Sequence, residues 1–341
     1  MNARRFQELT GRYAGLRIAV IGDFCLDRYL EIDPTKSETS IETGLPVHNV
    51  VRVRSQAGAA GTILANLSAL GVGELYPIGF CGVDGEGMEL QRVLSRTPGV
   101  RMDHFLQTPE RRTFTYCKPL LLEPGKAPVE LSRLDSKNWT PTPEALEARL
   151  IEAVKDVVPR VDAVVVMDQV DLPGTGVMSD PLLLALRKAT VGRPAVPVVA
   201  DCRRGLDEYP PGFVFKMNAA ELGRFRDTRF PTGARSIDEK AMALAEWTRR
   251  PVFVTLAERG IVCGVPGGAL ERADAHPVRG PIDIVGAGDA VTANLAAALA
   301  AGAEPQEAME LAMAAASVVI HQLGTTGTAA VRQLAKLLGD P

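Results

Sequence analysis

From Pro143 onward, strand-length apolar runs alternate with helix-length segments, and no other feature of the chain narrows its possible folds so far. A helical pattern over Pro143–Val157 precedes the β-branched run Ala163–Met167, and Asp180–Ala189 precedes Val196–Ala200. Phe213–Met217 then leads through Asn218 into another helix, and Ile237–Thr248 precedes Val252–Thr255. Strands separated by helices of about 10–15 residues run parallel, because each helix carries the chain back across a face of the sheet. The expected class is α/β, with a mostly parallel central sheet between two layers of helices.

The first half fits the same sheet with interruptions. Leu16–Ile21 is a short apolar run ending at Gly22-Asp23, which reads as a buried strand stopping at a turn. Ligands of open α/β sheets bind beyond such strand ends, so Asp23 and Asp27 are either ligand contacts or ordinary turn residues. Tyr29–Arg54 loses helical periodicity, is broken by Pro34, Gly44 and Pro46, and has strand character at Val47, Val51 and Val53. A helix over Ile63–Leu70 is expected to end at Gly71, with strands at Leu75–Phe80 and Gly99–Leu106 and a helix running to Leu94 between them. Arg111–Lys118 and Val129–Leu134 alternate as strands do, and Arg111, Arg112, Lys118 and Arg133 there fit either a solvated strand face or contact with an anion. The stretches 28–54 and 111–135 therefore read as excursions forming a small β lid, within one unit spanning 1–341.

Near the end, Gly286-Ala287-Gly288-Asp289 opens a small-residue helix, Ala290–Ala301, followed by a second over Pro305–Leu323. The first N–H groups of a helix lack internal partners and lie at its positive end, and glycines let a phosphate approach them. An aspartate there is a dipole partner, or it is the base that takes a proton from a hydroxyl attacking that phosphate. By itself the motif fits a capped helix start equally well. The glycine-rich helix start at Gly58 is similarly open to a ligand or to a packed strand.

The 38 basic and 41 acidic residues leave a net charge of −3, which excludes a general attraction to nucleic acid or an anionic membrane. The 5 cysteines are scattered and never paired as C-x-x-C, which fits a reduced cytoplasmic protein without a structural zinc site. No stretch has the length and apolarity of a signal core or a membrane span, and no dinucleotide fingerprint follows the first strand, which disfavours an oxidoreductase.

Gly22-Asp23-x-x-x-Asp27, the Gly58 helix start, Gly82-x-Asp84-x-x-Gly87, Asn218-x-x-Glu221 and Gly286-Ala287-Gly288-Asp289 stand in the order found in ribokinase-like (PfkB) carbohydrate kinases, and the resemblance covers nearly the whole chain. Within that family the chain looks most like the heptose-phosphate kinases. The residues that carry this likeness are Gly22–Tyr29, Ser37–Val50, Arg112-Thr113, Arg133-Leu134-Asp135 and Leu323-Gly324-Thr325. The resemblance implies a three-layer ribokinase-like fold and phosphoryl transfer from ATP, with Mg2+, to a hydroxyl of a sugar or sugar phosphate.

By position, it implies Asp289 as the base, with Gly286, Ala287 and Gly288 holding the transferring group. Asp27, Gly58, Thr62, Arg112 and Arg133 would contact the sugar. Asn218, Glu221, Thr255, Glu258 and Gly260 would serve the nucleotide, with Glu221 reaching magnesium through water. The lid of this family often pairs subunits, so a homodimer through the lid is expected. After Pro341 no segment of nucleotidyltransferase size follows, so a second enzymatic step is expected to need another protein.

The chain also departs from the family pattern at Ala59, Thr62, Ile284 and Ala257, where a glycine, an asparagine, a small polar residue and a glycine are usual. These departures leave room for a shifted substrate, such as an unphosphorylated sugar or a nucleoside, or for a protein that binds sugar or nucleotide without turnover.

Overall fold

A computed structural model describes residues 1–126, 128–225 and 236–338; Pro341 lies outside them. Helix α1 (Ala3–Thr10) precedes β1 (Arg17–Gly22). The chain leaves the main sheet as β2 (Phe24–Ile32), β3 (Glu38–Thr39), β4 (Pro46–Val47) and β5 (Val50–Ala59), and returns through α2 (Ala60–Ala69). After β6 (Glu74–Gly82), α3 (Gly85–Ser95) and β7 (Phe105–Thr108) it leaves again as β8 (Phe114–Leu121), β9 (Val129–Glu130) and β10 (Leu134–Ser136).

Regular alternation follows: α4 (Glu144–Val157), β11 (Ala163–Asp168), α5 (Asp180–Thr190), β12 (Val198–Cys202), β13 (Val214–Asn218), α6 (Ala219–Arg224), α7 (Ile237–Thr248) and β14 (Val252–Thr255). A hairpin of β15 (Ile261–Gly264) and β16 (Leu270–Ala273) comes next, then α8 (Ala287–Ala300), α9 (Pro305–Ile320) and α10 (Val331–Leu338).

The main sheet has 9 strands in the order β16-β15-β14-β13-β12-β11-β1-β6-β7. Pairings from β7 through β14 are parallel, and only the β14-β15 and β15-β16 pairs are antiparallel. The chain enters at β1 and builds outward first to one side and then to the other. The switch point between β1 and β11 is where such sheets open a crevice at their carboxyl ends.

Two expected elements differ. Of Gly99–Leu106, only Phe105 and Leu106 enter a strand: Gly99 is left-handed at φ 83°, Val100 makes one isolated bridge to Leu75, and Met102–His104 form a tight 3₁₀ turn. The last long helix stops at Ile320, short of Leu323, and Gly324 at φ 68° turns the chain toward the lid. Alternation had given no sign of the β15–β16 hairpin, because an antiparallel edge needs no crossover helix.

Helix α8 explains why the end of the chain is rich in alanine. Every residue from Ala290 to Ala298 is buried, because α8 packs against α2, α9 and the strands β11 and β12 at once. Small side chains let helices and sheet approach on all sides. Among the described residues no helix is long and apolar enough to cross a membrane, and all 5 cysteines are buried free thiols.

The excursion strands form a second sheet of 5 strands, ordered β10-β8-β2-β5 with β9 on β8, and with strands beginning at Phe24 and ending at Ser136. Its register determines which side chains meet. Tyr29 lies opposite both Arg54 and Lys118, and Asp27 lies opposite both Gln56 and Tyr116. Residues two apart on a strand share a face. One face of the lid sheet therefore presents Asp27, Tyr29, Arg54, Gln56, Tyr116 and Lys118 together.

Candidate active site

The turn Gly286–Asp289 stands between two cavities. Gly286 caps α8 at φ 82°, a conformation that a side chain would strain. On one side, Ala287 and Gly288 line a cleft of about 790 Å³; on the other, Gly286 and Asp289 line a cavity of about 270 Å³. The Asp289 carboxyl is half-buried and its pKa is pushed up to about 7. Burial is the main cause and the charge of Asp201 adds to it, while the Lys216 ammonium opposes both.

Asp201, at the end of β12, takes a 2.7 Å ion pair from Lys216 and a 2.7 Å hydrogen bond from the Thr292 hydroxyl, which also lies 3.1 Å from the Gly288 carbonyl oxygen. Lys216 and Asp201 are both buried. A fixed positive charge and a fixed negative charge thus lie under the first turn of α8.

The smaller cavity is lined by the core and the lid together: Thr62 and Ala59 from the α2 start, Gln169 and Arg203 beyond β11 and β12, Val285 and Thr326 beside the turn, and Asp27, Tyr116, Lys118 and Arg133 from the lid. Asp27 is buried, with Lys118 Nζ 3.8 Å away. Gly58 lies behind it, where an added Cβ would sit only 2.7 Å from Asp27 Oδ2, so a side chain at that position would displace the carboxylate. Thr62 lines the cavity, but its hydroxyl donates to the Ala57 carbonyl at 3.3 Å.

The larger cleft is bounded by Thr255–Gly260 at the end of β14 and by apolar residues from the α8 approach and α9, among them Val278, Ile282, Ile284, Met313 and Ile320. Thr255, Glu258 and Gly260 all line it, as does Asn218. Asn218 and Glu221 form a reciprocal capping box at the start of α6: the Asn218 side chain accepts from the Glu221 N–H, and the Glu221 carboxylate accepts from the Asn218 N–H. The Glu221 carboxyl is held above its ordinary value, chiefly by burial and further by Asp201.

Many of the positions that sequence reasoning singled out thus divide between the two cavities, but not all: Gly58 and Glu221 stand behind the linings rather than on them, and others lie elsewhere. Asp23 lines neither: it is buried and accepts N–H bonds from Gln169, Val170 and Val177, which ties down the loop after β11. Arg112 is exposed and donates to Ser136 Oγ at 3.0 Å, away from both linings. Arg111 is buried and spends its guanidinium on Thr140 and the Pro141 carbonyl. Arg54 and Arg52, also basic residues of the lid, pair with Glu31.

Sequence reasoning passed over Lys216, Asp201, Arg203, Gln169 and Val285. A lysine inside the apolar run Val214–Met217 and an aspartate ending Val198–Ala200 were visible signals. Arg203 and Gln169 carried none beyond following a strand.

Ala59 and Ala257, where the related pattern has glycine, adopt φ 52° and φ 54°. Ala59 lines the smaller cavity and Ala257 the larger. Ile284 and Val285 also divide, Ile284 facing the larger cleft and Val285 the smaller cavity.

Residues 16–331 match the family model of pfkB family carbohydrate kinases. Among curated proteins, the bifunctional protein HldE of Hyphomonas neptunium is 30% identical over 331 residues, covering 96% of this chain and 64% of the relative. The bifunctional protein HldE of a Bradyrhizobium species is 29% identical, covering 98% of this chain and 66% of the relative. The chain therefore spans about two-thirds of the length of these relatives.

Among solved structures, Arabidopsis thaliana ribokinase complexed with ribose and ATP superimposes with a TM-score of 0.66 at 21% identity, covering 94% of this chain and 98% of that one. Escherichia coli phosphofructokinase-2, in complex with substrates and products, gives 0.70 at 16% identity over 94% and 97%. Those two show the fold, a ribokinase-type sheet flanked by helices. With the family model matched over residues 16–331, the chain belongs to the pfkB family of carbohydrate kinases, phosphotransferases whose acceptor is a hydroxyl group.

Proposed function

We propose that the chain transfers the γ-phosphoryl group of ATP to a hydroxyl of a sugar that already carries a phosphate, such as a heptose 7-phosphate taking the new group at its anomeric hydroxyl. The observation that carries this reading is the place of Asp289, at the turn between a large, partly apolar cleft and a small cavity lined with cations. ATP fits the larger cleft, with its base among the apolar residues and its phosphates at Gly288. The acceptor fits the smaller cavity, where Asp27 receives hydrogen bonds from sugar hydroxyls and Lys118, Arg133 and Arg203 face the acceptor phosphate. Guanidinium groups match phosphate oxygens in pairs, which favours a phosphorylated acceptor.

In the transfer, the acceptor oxygen attacks the γ-phosphorus and its proton passes to Asp289. The bond to the β,γ-bridging oxygen breaks, and that oxygen leaves with ADP. The N–H groups of the first turn of α8, with the Lys216 ammonium beneath, stabilise the charge spreading over the transferring group. The charge of Asp201 adds to the cost of ionising Glu221, a strain that a divalent cation would relieve, and among the described residues no cluster of three or more His, Cys, Asp or Glu could cage a metal. That donor set fits magnesium, which keeps most of its waters and takes phosphate oxygens for the rest. Bound there, through Glu221 and Asn218 and their waters, it would neutralise charge on the ATP phosphates. The lid exposes Val50, Val51, Val53 and Leu134, which supports pairing of two chains through the lid, and buried free thiols support a cytoplasmic setting.

The test is ATP consumption over a panel of sugars, nucleosides and sugar phosphates. Turnover with sugar phosphates is the expected result, and turnover confined to unphosphorylated acceptors overturns the substrate class. A second reading, binding without turnover, is favoured by the alanines held in glycine conformations at φ 52° and φ 54°. Thermal stabilisation by ligands with no ATP consumption would establish it.

A further inference from the structure

The Leu323-Gly324-Thr325 stretch has no part in the chemistry above, yet it touches the lid at two points. The Thr325 hydroxyl donates to Gln56 Oε1 at 2.8 Å, and Arg54 Nη1 donates to the Gly324 carbonyl at 3.3 Å. Gln56 is engaged at its other end too, since Nε2 donates to the Tyr29 hydroxyl at 3.1 Å. Tyr29 is buried and its ring lies between two cations, Arg54 at 4.7 Å and Lys118 at 5.0 Å from its centroid. Lys118 Nζ is 3.5 Å from the same hydroxyl and 3.8 Å from Asp27, and Lys118 lines the smaller cavity. The next residue of the loop, Thr326, lines that cavity beside Gly286, where a Cβ would touch the Thr326 Cβ at 3.3 Å.

We infer that Thr325, Gln56 and Tyr29 are a relay of positioning residues that fixes Lys118 over the acceptor and ties the lid to the loop packed on the Gly286 turn. The physical reason lies in the freedom of the parts. A lysine ammonium on a four-carbon stem has many rotamers, and the lid is joined to the core through its strand ends. Two aromatic–cation contacts hold the stem and its neighbour, and an amide satisfied at both ends leaves Tyr29 one orientation. The relay crosses from lid to core at Thr325–Gln56 and Arg54–Gly324, beside Thr326 of the smaller cavity, so the acceptor side senses it most directly.

The relay rests on the sugar kinase reading only for its kinetic readout. Thr325→Val, which keeps shape and removes the hydroxyl, is expected to lower kcat/KM for the sugar phosphate acceptor about fivefold, the worth of one hydrogen bond, and to leave the KM for ATP unchanged. Gln56→Leu should do the same, the double variant should be no worse than either single one, and Thr325→Ser should restore the wild-type value. Additive losses, an equal rise in the KM for ATP, or wild-type kinetics for Thr325→Val would overturn the relay. Amide hydrogen exchange in the absence of any substrate separates the two proposals: faster exchange over Val53–Ala59 in Thr325→Val, and not in Thr325→Ser, supports the relay even if no acceptor is turned over. Unchanged exchange in Thr325→Val counts against it.

Discussion

The larger cleft, proposed as the nucleotide cleft, takes its walls from the ends of neighbouring strands and the helices that follow them, whereas the smaller one, proposed as the acceptor cavity, is assembled from chain segments that lie far apart in sequence. Thr255–Gly260, Ile284, Ala287, Gly288 and α9 form much of the cleft, all within the last third of the chain. The acceptor cavity joins Asp27 and Lys118 of the lid to Thr62, Gln169, Arg203 and Thr326 of the core. The cleft is therefore shaped mostly by segments of one part of the chain, and the cavity by side chains brought together from distant elements. Asp289 stands at their junction, with Lys216 beneath it.

Substitutions should separate the two sides in proportion to how each is built. The largest effect belongs to the junction: Asp289→Asn should lower kcat by about 10²–10⁴-fold while the KM for ATP changes little, as steady-state kinetics would show. An unaltered kcat would remove Asp289 from the mechanism and the junction from the comparison. Next, Arg133→Ala with Arg203→Ala should raise the acceptor KM by about a hundredfold together, each removing a charge-assisted bond, without moving the KM for ATP. A matching rise in the KM for ATP would mean that the two cavities are not independent.

A third effect follows from the Asp289 carboxyl, pushed up to about 7 from its ordinary 3.8. The base works only when ionised, so kcat/KM should fall about tenfold between pH 8 and pH 6. The stability linkage has the opposite sense. The folded state holds this proton more tightly than the unfolded chain, so the stabilisation is full below pH 3.8 and is lost as pH rises through about 7. Asp289→Asn should accordingly raise Tm relative to wild type at pH 8 and leave it unchanged at pH 3.5.

The smallest effect compares the two alanines with positive φ. Ala59→Gly and Ala257→Gly should each stabilise the fold by about 1 kcal/mol in denaturant titration, since a Cβ is strained in that conformation. Ala59→Gly should alter acceptor kinetics only and Ala257→Gly ATP kinetics only. Crossed effects would show that strain passes through the turn between them.

The local motifs around the larger cleft were legible because their residues are neighbours in sequence: Gly286-Ala287-Gly288-Asp289 is one turn, Asn218-x-x-Glu221 one capping box, and Thr255–Gly260 one loop. The acceptor side was less so. Arg111, Arg112, Lys118 and Arg133 looked alike as basic residues in strand-like stretches, but only Lys118 lies within a strand, where register turns it to the cavity, while Arg111 precedes that strand and is buried against Thr140. Arg203 reaches the same cavity from the far side of the sheet's switch point, which no local pattern announces.

By itself, then, the sequence determined the alternating α/β architecture, the strands that leave the main sheet and the helix start at Gly286–Asp289, all of which follow from periodicity, turn chemistry and helix ends within a few residues. Only the tertiary structure decided which cations line the smaller cavity, that Lys216 and Asp201 pair beneath Asp289, and that Ile284 and Val285 face different cavities. Those outcomes depend on strand order and register, which bring together residues as distant as Asp201 and Thr292, and such contacts are set by the packing of the whole sheet.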